Sequence, residues 1–398
     1  MSTSSQDVLS LGVEEEFQIV YRDSGELASA FDTVMERATP AIHKQMKPEF
    51  LQCVVECITD VCPDVATVRQ QTAVLRATAA TMAKEYGLAL IAAGTHPTGK
   101  WYEQHRTAGA RYGDLEMALQ DVARSILIYS LQVHVNIADQ ERRIAVMNQV
   151  RTYLPHILAL SANSPFWMGR NTGYMAFRPM VWAPFPMSGI PDPFADYAAY
   201  ERFQQLFFRV NSLGATRRMW WDIRPHHVYP TLEFRIADMP IRHEDTVAIV
   251  AFIQALVKTI LDRLAVDNPL PTLPTSFISE NRWRAALGGI HGTLVDFERE
   301  REVPTIDALA EAFDLVQGAM EALGTTQELA YLRAMLAPDY RCGAERQLDA
   351  YGRNHDLHEV SRLLMQETLH GIDLRQTMPL AEVTHAKGNR WRVRRKSA

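Results

Sequence analysis

The sequence predicts an α+β fold in which several strands line a polar funnel and the last third of the chain is helical. Three observations predict it. Short stretches alternate polar and apolar residues with the period of a strand, whereas longer stretches carry apolar residues at helical spacing. Four of the alternating stretches gather acids, amides, an imidazole and a guanidinium on one face and apolar residues on the other. After Asn268 the run Pro269-Leu-Pro271-Thr-Leu-Pro274 breaks the pattern, separating a catalytic core, 1–268, from a mostly helical part, 269–398.

In chain order, strands are expected at 9–21, 51–58, 88–93, 131–138 and 231–237, with a shorter one at 220–224. Helices are expected at 65–85, 115–130, 141–160 and 244–264, the third opened by Asp139 as N-cap, and 280–366 reads almost entirely as helix.

With 398 residues, 47% of them hydrophobic and 22% charged, the chain has material for a substantial core. A net charge of −6 argues against a surface built to neutralise nucleic-acid phosphates. The basic run from Lys387 to Lys396 reads as a solvated tail. Cys53, Cys57, Cys62 and Cys342 lack paired metal-site spacing and suit a reducing compartment. The first residues do not form a secretory signal, and the longest apolar run, 246–261, is too short for a membrane span and interrupted by Gln254 and Lys258. The expectation is a soluble cytoplasmic protein with no nucleic-acid or membrane partner.

The chemistry lies in the alternating strands. Along Leu11-Gly-Val-Glu-Glu-Glu-Phe-Gln-Ile19, Glu14, Glu16 and Gln18 share one face, opposite Val13, Phe17 and Ile19. Glu56 sits among apolar neighbours, where a buried carboxylate needs a partner or a metal. Glu49 lies at odd separation from Glu56 and reaches the same site only across a bulge or turn. Gln132, His134 and Asn136 share a third face, and Thr231, Glu233 and Arg235 a fourth. The plain alternative for each strand is the solvated outer face of an antiparallel sheet. Around one cavity, however, such carboxylates repel and raise each other's pKa unless cations neutralise them, and oxygen-rich sites select Mg²⁺ or Mn²⁺. A nucleotide triphosphate fits that chemistry, and Arg235 could stabilise the transferring phosphoryl group.

The blocks Gly12-Val-Glu-Glu-Glu-Phe17, Glu49-Phe-Leu-Gln-Cys-Val-Val-Glu56, Val133-His-Val-Asn136, Ser164-Pro-Phe-Trp-Met-Gly-Arg170, Trp220-Trp-Asp-Ile-Arg-Pro225 and Thr231-Leu-Glu-Phe-Arg-Ile-Ala-Asp238 together resemble the glutamate–cysteine ligase type 2 family of carboxylate–amine ligases. Glu280-Asn-Arg-Trp-Arg284 adds to the likeness. The resemblance implies a glutamine synthetase-like curved antiparallel sheet forming a funnel, with helices packed outside. It further implies ATP entering at one end, amino-acid substrates at the other, and a homodimer. By motif position Glu14, Glu16, Glu49, Glu56, His134 and Glu233 resemble metal ligands, and Arg235 a catalytic arginine. Asn136, Arg170, Arg178 and Arg224 become candidates for holding substrate carboxylates or phosphates, guanidinium being suited to bidentate recognition.

The implied reaction is ATP- and Mg²⁺-dependent: a carboxylate, glutamate by preference, forms an acyl phosphate that an amine captures as a γ-glutamyl amide. Pro225-His-His-Val-Tyr229 departs from the family pattern and bears on the amine pocket. The alternative is a metal-dependent amide hydrolase using the same carboxylates and His134, with His355 and His358 as possible extra ligands. A catalytically silent small-molecule binder is a third reading. ATP consumption separates them.

Overall fold

The computed structural model describes residues 9–211, 214 and 219–381. Its centre is a seven-stranded sheet. The strands are β1 (Leu11–Tyr21), β2 (Met46–Pro48), β3 (Val54–Ile58), β4 (Leu88–Ile91), β5 (Leu131–Asn136), β6 (Ile223–Pro225) and β7 (Thr231–Phe234). They run in the order β6-β7-β5-β1-β3-β2, every pair antiparallel. β1 organises the sheet because it is long enough for three partners: β3 on one edge, and on the other β5 beside Leu11–Glu15 and β4 beside Gln18–Tyr21. The α+β class and antiparallel sheet expected from the sequence are those observed.

Helices cover the apolar back. α1 (Val65–Glu85), capped by the Asp64 carboxylate accepting from the Thr67 N–H, packs on β1 and β3. A later helix, His243–Ala265, packs on β5 and on α1. Val13, Phe17 and Ile19 are fully buried against this layer, as the alternation predicts, and Cys53, Val55 and Cys57 share the same burial as free thiols and a valine.

Glu15 also points to the back, where Arg76 of α1 meets it. Nη2 of Arg76 lies 2.5 Å from Oε1 of Glu15 and its Nε 3.1 Å from the same oxygen, both residues fully buried. Thr246 donates to the same carboxylate, and Nη1 of Arg76 donates to the carbonyls of Ile241 and Thr368. Every charge taken from water here is answered by hydrogen bonds, the condition under which such a pair is tolerated.

The Asp139 cap is found where predicted, on α3 (Gln140–Val150), which continues through a 3₁₀ turn into α4 (Leu154–Ser161). The helix expected at 115–130 is not one helix. α2 (Ala110–Leu119) ends at Gln120, whose φ is 52°, and after the single turn Asp121–Arg124 the chain extends. The reason is distant: the Ser130 N–H donates to Glu16, and Ser130 bridges to Asp238, bonds that a helix would have consumed.

The C-terminal region is likewise not continuous helix. α6 (Thr275–Gly288) follows α5, the helix His243–Ala265 already described. A hairpin of β8 (Thr293–Asp296) and β9 (Arg301–Pro304) then intervenes before α7 (Thr305–Ala322), α8 (Thr326–Ala334), α9 (Gly343–Gly352) and α10 (Leu357–Thr368). The breaker is the Gly288-Gly289-Ile-His-Gly292 cluster, in which Gly289 adopts φ 57°. α6, α7 and α8 share the main apolar core with the sheet, while Val360 and Leu364 of α10 pack with Val20 and Ile91 in a smaller one, and the region is stitched to the sheet: Ala92 N–H donates to the Thr368 hydroxyl at 2.8 Å, and Gln347 to the Asn163 side chain at 2.7 Å. Among the described residues no helix is long and apolar enough to cross a membrane. The basic run from Lys387 lies outside them.

A carboxylate-lined cavity as candidate active site

The polar face of the sheet opens on a cavity of about 830 Å³. Glu14 and Glu16 reach it from β1, Glu56 from β3, and Glu233 and Arg235 from β7 and the residues after it. Cross-strand pairing accounts for the convergence: Glu16 lies opposite Glu56, Glu14 opposite Gln132, and Glu233 opposite His134. Glu49 joins them, its odd separation from Glu56 resolved by the turn between β2 and β3.

Burial, followed by the charge of Glu49, pushes the Glu16 carboxyl up to about 7. Burial also raises Glu49, and burial with the charges of Glu14, Glu49 and Glu16 raises Glu56 well above the ordinary range. Glu14 goes the other way: burial opposes, but the hydrogen bond and charge of His134 hold it below its ordinary value. Nε2 of His134 lies 3.3 Å from Oε1 of Glu14, while its Nδ1 is 3.0 Å from the Thr231 hydroxyl. Glu16 already accepts from the Ser130 N–H at 2.6 Å and from Gln132 at 2.9 Å.

Glu233 is held between two arginines. Arg224 donates to both its oxygens, at 2.8 and 3.0 Å, and Nη1 of Arg235 lies 2.5 Å from Oε1. Burial opposes its ionisation, but Arg235 and Arg224 keep Glu233 well below the usual carboxylate range. Arg235 also donates to the Gln132 amide oxygen, whereas its buried Nε has no acceptor. A buried, unanswered guanidinium N–H is costly, and at a cavity wall it offers an unspent donor.

The remaining sequence candidates divide. Arg178 lines the cavity from the short helix Arg178–Trp182, but its Nε donates to Asp238 at 3.0 Å and its Nη2 to the carbonyls of Arg235 and Ile236. It braces the segment after β7 that carries Arg235. The carboxylate it meets is fully buried, accepts from Asn163 and Ser164, and lies so close to Gly94 that a Cβ there would sit 2.7 Å from Asp238 Cγ. Arg170 stands exposed on the hairpin Phe166–Trp167/Arg170–Asn171, outside the cavity lining. Asn136 ends β5 opposite Thr231 and is also outside that lining. His355 and His358 are exposed and outside the cavity lining, His358 contacting the Ser24 carbonyl. Gln132, which orients Glu16 and Arg235, was placed on the polar face by its parity with His134 but without a role, and Ser130, which orients Glu16, gave no sign in the sequence. Arg111, whose charge acts on Glu49, gives no local signal.

Among the described residues no three His, Cys, Asp or Glu side chains close into a ready ligand cluster. The donor set is nonetheless chemically suited to a hard cation. It consists of carboxylate oxygens, and burial followed by mutual crowding raises three of their pKa values, so a bound cation would favour their ionised forms. Mg²⁺ commonly takes one or two protein carboxylates and completes its shell with water and substrate phosphate, so a closed protein cage is not required.

The sequence model of glutamate–cysteine ligase family 2 matches residues 10–367. A protein of Solibacter usitatus carrying the provisional name glutamate–cysteine ligase 2 is 36% identical over 373 residues, 94% of this chain and 96% of its own length. One from Sorangium cellulosum with the same provisional name is 37% identical over 364 residues, 91% of this chain and 96% of its own. Among solved structures, the glutamate–cysteine ligase of Francisella tularensis in complex with AMP superposes with a TM-score of 0.66 at 12% identity, covering 93% of this chain and 91% of that one. A bifunctional glutathione synthetase from Pasteurella multocida gives 0.67 at 12% identity, covering 92% of this chain and 54% of the other. These structural likenesses concern the fold.

Proposed function

This chain belongs to glutamate–cysteine ligase family 2, which makes it a C–N bond-forming ligase, and we propose that it couples ATP hydrolysis to ADP with amide formation between an amino-acid carboxylate and an amine. The observation that carries the proposal is Arg235, fixed by Glu233 and Gln132 on the wall of a carboxylate-lined cavity with one buried donor unspent. The acid is glutamate by family likeness. Its carboxylate attacks the γ-phosphorus of ATP, ADP leaves, and the acyl phosphate formed is attacked by the amine, which expels phosphate and sheds a proton.

Bound Mg²⁺ would supply charge neutralisation for the triphosphate, held by carboxylates from Glu14, Glu16, Glu49 and Glu56 with His134 beside them. Glu233, both of whose oxygens already accept from arginines, is better suited to orienting Arg224 and Arg235 than to ligation. Arg235 would meet charge that grows on the transferring phosphoryl oxygens, where a fixed donor is worth most. Small molecules are the partners in this reading; cytoplasmic location and a homodimer accompany it on family likeness alone.

The assay is ADP release with Mg²⁺ across a panel of acids and amines. Release that requires both substrates supports the ligase; release of amide-hydrolysis products without ATP would overturn it. Glu14→Gln and Glu16→Gln are expected to weaken Mg²⁺-dependent ATP binding while leaving the fold intact, since both side chains face the cavity. Calorimetric titration checks this, and unchanged affinity in both variants would remove the metal-ligand assignment.

A pH dependence follows from the raised carboxyl groups. Folding raises Glu16 from 4.5 to about 7, so between those values the folded state holds a proton that the unfolded chain has released. That stabilising contribution is complete below about pH 4.5 and lost as pH climbs through about 7, with Glu49 and Glu56 acting in the same direction. Without divalent cation, Tm is expected to fall between pH 6 and pH 8, and Mg²⁺ should restore more of it at pH 8 than at pH 6. An equal gain from Mg²⁺ at the two pH values would contradict the idea that these carboxylates meet the ion.

A further inference from the structure

Beside the first cavity lies a second, of about 610 Å³, and His226 and His227 line both. The partition between them is aromatic. The His226 ring meets that of His134 edge-on at 5.3 Å and stacks on Tyr229 with centroids 4.9 Å apart and planes 13° from parallel. Nδ1 of His226 accepts the N–H groups of Val228 and Tyr229, at 3.2 and 3.0 Å, which fixes the loop and the neutral tautomer of the ring. Tyr197 and Tyr200, from the helix Tyr197–Val210, stand among the opposite lining, with the carboxylates of Asp139 and Glu141 nearby. Among the described residues, the one arginine of this lining is Arg143, which donates to the carbonyls of Ile137 and Ala138.

A phosphate would find acids here and a cation already engaged. Both acids already accept backbone N–H groups, Asp139 from Arg142 and Glu141 from Tyr197, so what the lining offers an incoming molecule is rings to stack on. The volume is that of a site for a molecule much larger than a cysteine side chain. Tyr229 is 60% exposed and Val228 66%, an apolar wall tip that a bound ring would cover.

We infer that this second cavity receives the body of the amine substrate, and that the amine is a primary amine bearing an aromatic ring, stacked against Tyr229 and His226 with its nitrogen directed past His226 toward the carboxylate-lined cavity. The inference rests on the ligase reading and names its acceptor.

The test is ADP release by the full-length chain with glutamate and Mg²⁺, comparing 2-phenylethylamine and tyramine with cysteine and methylamine. The aromatic amines are expected to give the higher kcat/KM, and Tyr229→Ala to raise their KM by roughly three- to tenfold, the scale of one lost aromatic contact, with Tyr229→Phe close to wild type. A larger shift in the KM for ATP than for the amine would assign the cavity to the nucleotide base and overturn the inference, as would a preference for cysteine unaffected by Tyr229→Ala. Calorimetric titration of 2-phenylethylamine into wild type and Tyr229→Ala reads the same cavity without turnover. Binding weakened by the substitution supports the site even where ADP release fails, which would count against the ligase reading alone. No binding to wild type overturns the inference.

Discussion

Replacing Arg235 by alanine is expected to lower kcat for ADP release by roughly 10²- to 10³-fold, the usual loss when one fixed transition-state donor is removed, with a smaller change in the KM for ATP. Arg235→Lys keeps the charge but loses the planar fork, and should fall between alanine and wild type, within roughly 10- to 1,000-fold below the latter. The fold should survive either change because Arg224 still donates to both oxygens of Glu233. Arg235 spends one nitrogen on Glu233 and Gln132 and leaves Nε unanswered in a buried position. A guanidinium that served only as the partner of Glu233 would have no use for that donor. Turnover near wild type in both variants at saturating substrates would reduce Arg235 to such a partner.

The second large effect is on stability. Arg76→Met is expected to destabilise the protein by about 3–5 kcal/mol, read from the shift of the urea unfolding midpoint, because Glu15 would remain in the core without its counter-charge. The pair is fully buried and its hydrogen bonds are complete, so there is no water to take over the lost partner. Removing both charges, with Glu15→Met added to Arg76→Met, should recover most of the loss, since a buried pair exchanged for apolar residues of similar volume is often close to neutral. A single variant as stable as wild type would mean that the region admits water.

What could be read from the sequence was whatever the strand pleat dictates locally. Side-chain alternation alone groups Glu14 with Glu16, Gln132 with His134, and Glu233 with Arg235, and the structure opens those faces on one cavity or its edge. Glu49 was legible only conditionally, because parity cannot say whether a turn intervenes; the β2–β3 turn supplies it. The rest depended on partners far along the chain. Arg178 reads as a free guanidinium until Asp238 is brought to it from 60 residues away. Ser130 reads as the end of a helix until Glu16, 114 residues distant, claims its N–H. Arg170 was grouped with the site by its neighbours in sequence, and a two-residue strand carries it to the surface. The β8–β9 hairpin had a local sign in its glycine cluster, outweighed by the helical spacing on either side.

Glu14, Glu15 and Glu16 are consecutive, and Arg76 would therefore meet some carboxylate even if β1 slid by one residue in either direction. The ion pair recognises an acid without telling the three apart. Phe17 is less permissive: its ring is fully buried, with the guanidinium carbon of Arg76 5.1 Å from its centroid, and a slide of one residue would turn it into the polar cavity while Glu15 joined the other acids there. Correct alignment of the strand during assembly is thus sensed by an aromatic ring on the far side of the sheet, and the choice of which glutamates face the cavity is inherited from that packing.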